Sequence, residues 1–184
     1  MYFAVHFTAQ TVMFWRPDMN ATEMTYHVAQ MSQLDEILQM KNRVKARVSK
    51  ENLPIWQHGY PLDEFIIEDI ERGEGRLVQL NNKIVAYAVF HRCTTEYDPH
   101  TFCHEPVQSF GRLMVDDGYV GQGIAKFLIT HMIEEAKGLD VLGMGILVDE
   151  CNTHAVRLYE SFGFKKEGSN QFPFAYLDIY ALYF

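Results

Sequence analysis

The segment from Gly111 to His131, GRLMVDDGYVGQGIAKFLITH, constrains the fold of this chain more than any other. Its apolar start is typical of a strand, and the Asp-Asp-Gly triplet that follows breaks extended structure. Gly121 and Gly123 then precede a stretch with apolar residues at helical spacing. Because glycine has no Cβ, successive backbone N–H groups at a helix start can converge on an anion, and the helix dipole adds to the attraction. The segment therefore predicts a strand, a turn and a helix whose start suits a phosphate or pyrophosphate. The absence of Gly-Lys-Ser/Thr argues against a nucleotide P-loop.

A second segment, further along the chain, contains Asn152, Ala155, the pair Leu158-Tyr159 and the triplet Phe162-Gly163-Phe164. The glycine pair alone also fits a tight turn with close packing. The two segments together resemble the GNAT superfamily of acyl-CoA-dependent N-acetyltransferases. The pyrophosphate loop of that family reads Arg/Gln-x-x-Gly-x-Gly/Ala, and its next segment reads Asn, Ala, Leu-Tyr, Gly-Phe.

The match to the family's pyrophosphate loop has one departure. Gly123 and Ala125 occupy the last two positions, whereas Val120 stands where the family has Arg or Gln. In the family that first residue contacts the pyrophosphate mainly through its backbone. The resemblance thus implies that backbone amides of the loop hold the pyrophosphate of acetyl-CoA, the co-substrate. The loop residues are Val120, Gly121, Gln122, Gly123, Ile124 and Ala125.

The resemblance also implies the fold and its limits. We expect a mixed α/β protein with the GNAT fold, in which a central, mostly antiparallel twisted sheet with a splayed centre carries helices on both faces. The pattern covers residues 24–184, which we predict to be the N-acetyltransferase domain. Residues 1–23 lie outside it as an N-terminal extension. An extension packed on the domain, an arm that forms a homodimer and an upstream start codon are the alternatives for this segment.

The gap at the sheet centre is where the resemblance places the pantetheine arm. The two strands that border it are predicted at 107–115 and 141–148. Backbone groups of Leu113, Met114 and Val115 would pair with pantetheine like an added strand, and an N–H there would polarise the thioester carbonyl. Neither this task nor pyrophosphate binding requires a metal, so we expect none.

Tyr159 is the predicted catalytic residue. A helix from Asn152 or Thr153 places Ala155, Leu158, Tyr159 and Phe162 on the face toward the sheet. A phenol there could donate a proton or a hydrogen bond to the departing CoA thiolate. Tyr159 as a core aromatic is the alternative. For Asn152 the resemblance implies a contact with the cofactor, and the alternative is that Asn152 is the helix N-cap. One residue can have both roles.

An amine acceptor must lose its ammonium proton before or during attack, and the sequence does not identify the base. Glu96, Asp98, Glu150 and His58 are candidates, but each also fits a solvated polar residue. A metal at His91, Cys93, His100, Cys103 and His104 is disfavoured, because their spacing matches no common zinc finger. A polar active-site loop is the preferred interpretation.

Trp56 and Tyr60 lie in a loop between two predicted helices. Large aromatic residues in such a loop often anchor it to the core. Alternatively they line the acceptor pocket, because in GNAT proteins the first two helices and their loop border the acceptor site. The acceptor itself, a small-molecule amine or a protein amine, is not specified by the sequence.

The composition excludes several classes of function. The chain has 184 residues, which fits one domain, and a net charge of −8 without a basic stripe, which argues against a nucleic-acid partner. The three cysteines form no disulfide-dense pattern, so we expect a reducing cytoplasm. Residues 1–15 carry no Lys or Arg, and polar residues interrupt their apolar run, so neither a signal peptide nor a membrane span is predicted.

Local patterns predict the remaining elements. Ser32 and Asp35 resemble a capping box before a first amphipathic helix. Asn81-Asn82-Lys83 between two apolar runs predicts a hairpin. A polar loop is expected from about His91 to Pro106, and the alternating segment 174–184 predicts a last strand.

The resemblance to the GNAT superfamily implies an enzyme, an acetyl-CoA-dependent N-acetyltransferase that acts on a primary amine by direct attack in a ternary complex. The alternative from another class is a non-catalytic acyl-CoA-binding or regulatory module on the same fold, which the valine at position 120 favours. The presence of Tyr159 and of the Gly-x-Ala pair at the end of the loop favours the enzyme.

Overall fold

The computed structural model describes residues 10–14, 22–51, 56, 60–93, 107–172 and 175–184. Eight strands form one sheet in the order β1-β2-β3-β4-β5-β6-β8-β7. Every neighbouring pair is antiparallel except β5 and β6, which are parallel. The strands are β1 (Gln10–Phe14), β2 (Thr22–Val28), β3 (Gly75–Leu80), β4 (Lys83–Cys93), β5 (Val107–Val115), β6 (Gly143–Val148), β7 (Lys165–Gln171) and β8 (Tyr176–Tyr183). The helices are α1 (Leu34–Val48), α2 (Asp63–Glu71), α3 (Ile124–Lys137) and α4 (Thr153–Glu160). The predicted mixed α/β architecture is confirmed.

Helices cover both faces of the sheet, and each face has its own hydrophobic core. α1 and α2 bury their apolar stripes against Leu77, Ile84, Tyr87 and Met114. α3 and α4 pack on the opposite face against a second core that includes Val85, Phe90, Phe110 and Phe164. The helical periodicity read from the sequence explains this arrangement, because residues at that spacing place one stripe against the sheet. The buried positions of α3 include Ile124, Phe127, Leu128, His131 and Met132, as predicted.

The hairpin between β3 and β4 confirms the local prediction. Leu80 pairs with Lys83, and the two residues between them, Asn81 and Asn82, have φ of 50° and 64°. Asparagine tolerates this left-handed conformation better than most residues, and consecutive positive φ values match the twist of a two-residue hairpin. The turn therefore fixes the register of β3 against β4.

The middle of the sheet contains a bulge and a gap. Tyr87 pairs with Met114 and Val89 pairs with Gly111, so two residues of β5 lie opposite one residue of β4. Arg112 lies in this bulge with φ of 50°. β5 and β6 pair only at Gln108 with Met144 and Ser109 with Gly145. Beyond these pairs the two parallel strands diverge, which is the splayed centre that we expected.

Three local predictions differ from the structure. Ser32 does not cap α1, because it lies in a 3₁₀ turn, Met31–Gln33, where the backbone N–H of Gln30 donates to Gln33 Oε1 at 2.9 Å. The strand β4 continues to Cys93, so the predicted loop begins later than His91. The sequence analysis also missed β7.

The strand β7 was missed because its sequence, KKEGSNQ, lacks the apolar alternation of a half-buried strand. It lies at the sheet edge, where polar residues and lysines are common. Two of its side chains, Lys166 Nζ and Ser169 Oγ, each lie 2.7 Å from Oδ1 of the buried Asp178 on β8. Cross-strand polar contacts to one buried carboxylate thus hold this edge.

β1 lies within the segment that the family pattern does not cover. It pairs with β2 from Gln10 with Tyr26 to Phe14 with Thr22. Residues 10–14 therefore extend the sheet at the edge opposite β7.

Candidate active site

The glycine-rich turn lies between the end of β5 and the start of α3. Gly121 and Gly123 have φ of 79° and 82°, and Gly123 is the N-cap of α3 without a side-chain cap. The first backbone N–H groups of a helix have no intrahelical partner. A Cβ placed at either glycine would meet nothing within 4 Å, so open space lies above the turn. An anion can approach these N–H groups closely, and the helix dipole would stabilise it.

The other residues predicted to hold the pyrophosphate form the same turn. Val120 is 45 % exposed, and Gln122 is also exposed, with its side-chain amide donating to the Gly118 carbonyl at 2.9 Å. Ile124 is buried, and Ala125 is half-buried in the first turn of α3. The side chains of this turn therefore face solvent, pack in the core or bond within the protein, and none of them is a charged donor. The groups available to bind an anion are the backbone N–H groups.

An ion-pair network ties this turn to α1. The buried Asp116 carboxylate accepts from Arg43 at 2.8 and 3.0 Å, and Lys83 Nζ lies 3.5 Å from it. Arg47 donates to Asp117 at 2.7 Å and to the Val115 carbonyl at 3.2 Å. Hydrogen bonding from Arg43 is the main cause that lowers the pKa of Asp116 below its ordinary value. The network holds the start of the turn in one position.

We expect the Asp116 carboxylate to contribute to stability above about pH 4 and to lose that contribution in acid. Because its pKa is lower in the folded protein than in the unfolded chain, the contribution is lost as pH falls through the folded pKa. Asp116→Asn should lower the free energy of unfolding by about 1 to 2 kcal/mol at pH 7. Urea unfolding at pH 7 and below pH 3 measures this, and a deficit that persists unchanged in acid would contradict it.

The gap between β5 and β6 begins next to Ser109, whose Oγ donates to the Gly145 carbonyl at 3.2 Å. From there β5 runs toward the glycine-rich turn without a partner on its β6 side. Met114 is buried against α1 and α2, whereas Leu113 and Val115 are half-buried against the core under α3. The backbone edge of β5 that faces the gap can pair with an extended ligand.

Tyr159 projects from α4 into the core beside this gap. Its ring contacts Phe110 of β5 edge to face, with a centroid distance of 5.6 Å, and lies 6.2 Å from the ring of Phe164. Burial raises the pKa of the Tyr159 phenol, so the hydroxyl is protonated at neutral pH. Within the described part of the chain this hydroxyl has no hydrogen-bond partner, and no fully buried side-chain oxygen is left unpaired there. Within the described residues the hydroxyl is therefore an unengaged donor.

Asn152 is the N-cap of α4. Its Oδ1 accepts from the Ala155 backbone N–H at 3.1 Å. The capping role is thus present in the structure, and contact with a cofactor stays a prediction. Of the four proposed bases, Glu150 is exposed, whereas Glu96, Asp98 and His58 lie outside the described residues.

Trp56 and Tyr60 pack together on the α1 and α2 side of the sheet. Their rings meet edge to face at 6.1 Å, and Tyr60 lies 6.1 Å from Phe65 of α2. Trp56 also packs against the core under α1 and α2, and both residues are half-buried. The two aromatics therefore pack on the protein and keep part of their surface accessible.

A charged cluster that the sequence analysis did not identify lies beside these aromatics. Arg112 donates to both oxygens of Asp69, at 2.5 and 2.9 Å, and Tyr87 donates to the same carboxylate at 3.0 Å. Arg112 also lies over the ring of Phe65 at 5.9 Å. The bulge in β5 thus brings a guanidinium to the side of the sheet that α1 and α2 cover. Its partner is 43 positions away, so no local sequence signal exists.

The described residues provide neither a metal-binding group nor a membrane-spanning helix. Within those residues, no group of three His, Cys, Asp or Glu side chains is placed to hold a metal ion. His100, Cys103 and His104 of the considered metal cluster fall outside them. The described helices include none that is both long and apolar enough to cross a membrane.

The fold is shared with a family of acetyltransferases. The model of the Acetyltransferase (GNAT) family matches residues 41–164, which is more than half of the chain. This chain belongs to the GNAT family.

One curated protein is similar to this chain in sequence, and solved structures are similar to it in fold. The chain is 28 % identical over 120 residues to the peptidyl-lysine N-acetyltransferase YjaB of Salmonella typhimurium, covering 65 % of this chain and 78 % of that protein. A GNAT-family acetyltransferase of Streptococcus agalactiae has a TM-score of 0.77 at 19 % identity, over 88 % of this chain and 95 % of that one. The ribosomal-protein-S18-alanine N-acetyltransferase of Escherichia coli has a TM-score of 0.64 at 20 % identity, over 87 % and 93 %. At these identities the two structures support the fold.

Proposed function

We propose that the protein transfers an acetyl group from acetyl-CoA to a primary amine by direct attack in a ternary complex. The observation that carries this proposal is the gap between β5 and β6. The glycine-rich turn lies at one end of this gap. Trp56 and Tyr60, which are partly accessible, lie near the bulge of β5 on the sheet face that α1 and α2 cover. Two substrates can therefore approach one point from different sides.

The residues around the gap fit the parts of acetyl-CoA, which supplies an acyl thioester when bound. Backbone N–H groups from Val120 to Ala125 would hold the pyrophosphate. The free edge of Leu113, Met114 and Val115 would pair with the pantetheine, and one N–H of this edge would polarise the thioester carbonyl. Asn152 would add a contact from the start of α4. No side chain at position 120 is needed for this, because the donors are backbone groups.

Tyr159 would serve the leaving group. Its phenol is protonated at neutral pH and unengaged within the described residues, so it can donate to the thiolate as the carbon–sulfur bond breaks. Trp56 and Tyr60 would form one wall of the acceptor pocket. The amine acceptor is supported by YjaB, whose name specifies a peptidyl-lysine substrate.

Tyr159→Phe should lower kcat by about 100-fold and change the KM for acetyl-CoA by less than about threefold, because only the transition state loses a donor. Tyr180→Phe is the matched control, since Tyr180 is a buried tyrosine of the same core on β8. Steady-state kinetics of both variants measure the effect. Turnover equal to that of the unmodified protein would reduce Tyr159 to a packing residue.

The test of the proposed function is calorimetric titration with acetyl-CoA and CoA, followed by thiol release against small amines, lysine peptides and peptide N-termini. Binding with thiol release on one amine class supports the enzyme and identifies its acceptor. Binding without turnover on any amine supports the non-catalytic acyl-CoA-binding module, the second candidate, which is favoured by Val120 at the first position of the loop. The absence of binding would contradict both.

A further inference from the structure

His91 lies on β4 at the level where the gap in the sheet begins. Its Cα pairs with that of Ser109, which is also the last residue of β5 that pairs with β6. His91 follows Tyr87 and Val89 at alternate positions, so its side chain lies on the sheet face that α1 and α2 cover. This is the face that carries Trp56 and Tyr60. The imidazole is thus close to the closed end of the gap, on the proposed acceptor side.

The imidazole of His91 is half-buried, and within the described part of the chain it makes no hydrogen bond. Two other histidines with reduced exposure do have partners. A ring nitrogen of His27 lies 2.7 Å from Thr25 Oγ1, and Nδ1 of His131 lies 2.8 Å from the Phe127 carbonyl. Polar groups with little solvent access are usually bonded, so a free imidazole at this position is available to a ligand.

Three charged groups act electrostatically on His91. Arg112 comes from the bulge of β5, and Asp69 and Arg72 come from α2. Burial is the main cause that lowers the pKa of His91, Arg112 and Arg72 lower it further, and Asp69 opposes them. The ring is therefore neutral at pH 7 and can accept a proton. Because Asp69 neutralises Arg112 through two hydrogen bonds, an incoming cation would not meet an unpaired guanidinium.

We propose that His91 is the general base of the acetyl transfer, taking the proton of the acceptor's ammonium directly or through one water. This inference rests on the proposed function and supplies the base that the sequence did not identify. A base must lie where the substrate nitrogen arrives and must be neutral at the working pH. Within the described residues, His91 meets both conditions.

The proton transfers balance as follows. One N–H bond of the ammonium breaks, and its proton moves to an imidazole nitrogen of His91. The freed lone pair of the amine forms the bond to the thioester carbonyl carbon, and the carbon–sulfur bond breaks with its electron pair on sulfur. The Tyr159 hydroxyl gives its proton to the departing thiolate, and the amine's second proton, lost as the amide forms, restores the Tyr159 phenol through water. The imidazolium returns its proton to water.

The test compares His91→Gln with the unmodified protein on the amine class found active. We expect kcat to fall by about 100-fold, as for loss of a general base, while the calorimetric affinity for CoA stays within about twofold. In the unmodified protein kcat/KM should fall as pH drops below the lowered pKa of His91, and the variant should lose this acidic limb. Added imidazole should restore part of the variant's rate.

His27→Gln is the matched control, because His27 is a half-buried strand histidine on the same face that already has a partner. It should retain full turnover. If His91→Gln matches the unmodified protein, or loses rate but keeps the acidic limb, the base assignment is wrong although the transferase proposal stands. If the unmodified protein acetylates no amine, the proposed function fails and this inference fails with it.

Discussion

Gly123→Glu should abolish the binding of acetyl-CoA, with an affinity loss above about 1,000-fold, equivalent to about 4 kcal/mol. Two physical effects act in the same direction. A carboxylate would stand where the backbone N–H groups of the turn receive a pyrophosphate, and like charges repel. Gly123 also has φ of 82°, a conformation that costs a residue with a side chain about 1 to 2 kcal/mol.

Two controls separate these effects. Gly73→Glu introduces the same side chain at φ of 69°, again with nothing within 4 Å of the new Cβ, but after α2 and away from the turn. It should cost similar stability and leave CoA affinity unchanged. Gly123→Ala carries the strain without the charge and should weaken binding far less. Calorimetry measures the affinities, and thermal unfolding shows that each variant is folded. Unchanged affinity in folded Gly123→Glu would contradict the assignment of the pyrophosphate site.

Asp69→Asn should lower the free energy of unfolding by about 3 kcal/mol, because removal of one partner of a buried ion pair leaves the other charge uncompensated. Asp69 is 4 % exposed and Arg112 is 20 % exposed, so little solvent reaches the guanidinium. The variant also keeps only one side-chain acceptor oxygen for the donors of Arg112 and Tyr87. In a domain of this size the expected fall in Tm is about 6 to 12 °C.

An exposed pair provides the comparison. Lys137 and Glu134 form an ion pair at 2.9 Å with side chains 50 % and 60 % exposed, and Glu134→Gln should cost less than about 1 kcal/mol. The double variant Asp69→Asn/Arg112→Gln should be more stable than Asp69→Asn alone, since no charge then remains unpaired. Urea unfolding of the four proteins measures both differences. Equal losses for the buried and the exposed pair would contradict this account.

The elements that the sequence predicted correctly depend on neighbouring residues. Helix periodicity in α1 and α3 and the Asn81-Asn82 turn are local signals, and the structure contains all three. Apolar runs such as those of β4 and β5 are equally local. For the same reason β7 was missed, because a polar edge strand is specified by its pairing with β8 and not by its own residues.

The residues of the candidate site also divide into those that the sequence predicted and those that it did not. The glycine-rich turn and the position of Tyr159 could be predicted because each is part of one contiguous motif. The Asp69–Arg112 pair and the environment of His91 could not, because they depend on a bulge that turns Arg112 toward α2. Contacts between residues distant in sequence arise only when the sheet assembles. Composition and residue spacing therefore do not predict them.

The length of the unpaired part of β5 limits which ligands can reach from the glycine-rich turn to His91. From Ser109, where pairing with β6 ends, to Val115, before the glycine-rich turn, the strand makes six steps, or about 20 Å of extended chain. A ligand held by its pyrophosphate at the turn reaches the level of His91 only through an arm of comparable length. Nucleotides that lack such an arm would occupy the turn as competitors and leave the reacting end empty. Under the proposed function, the length of this strand would allow only carriers with a long arm to react, while nucleotides that share their phosphates would bind without reacting.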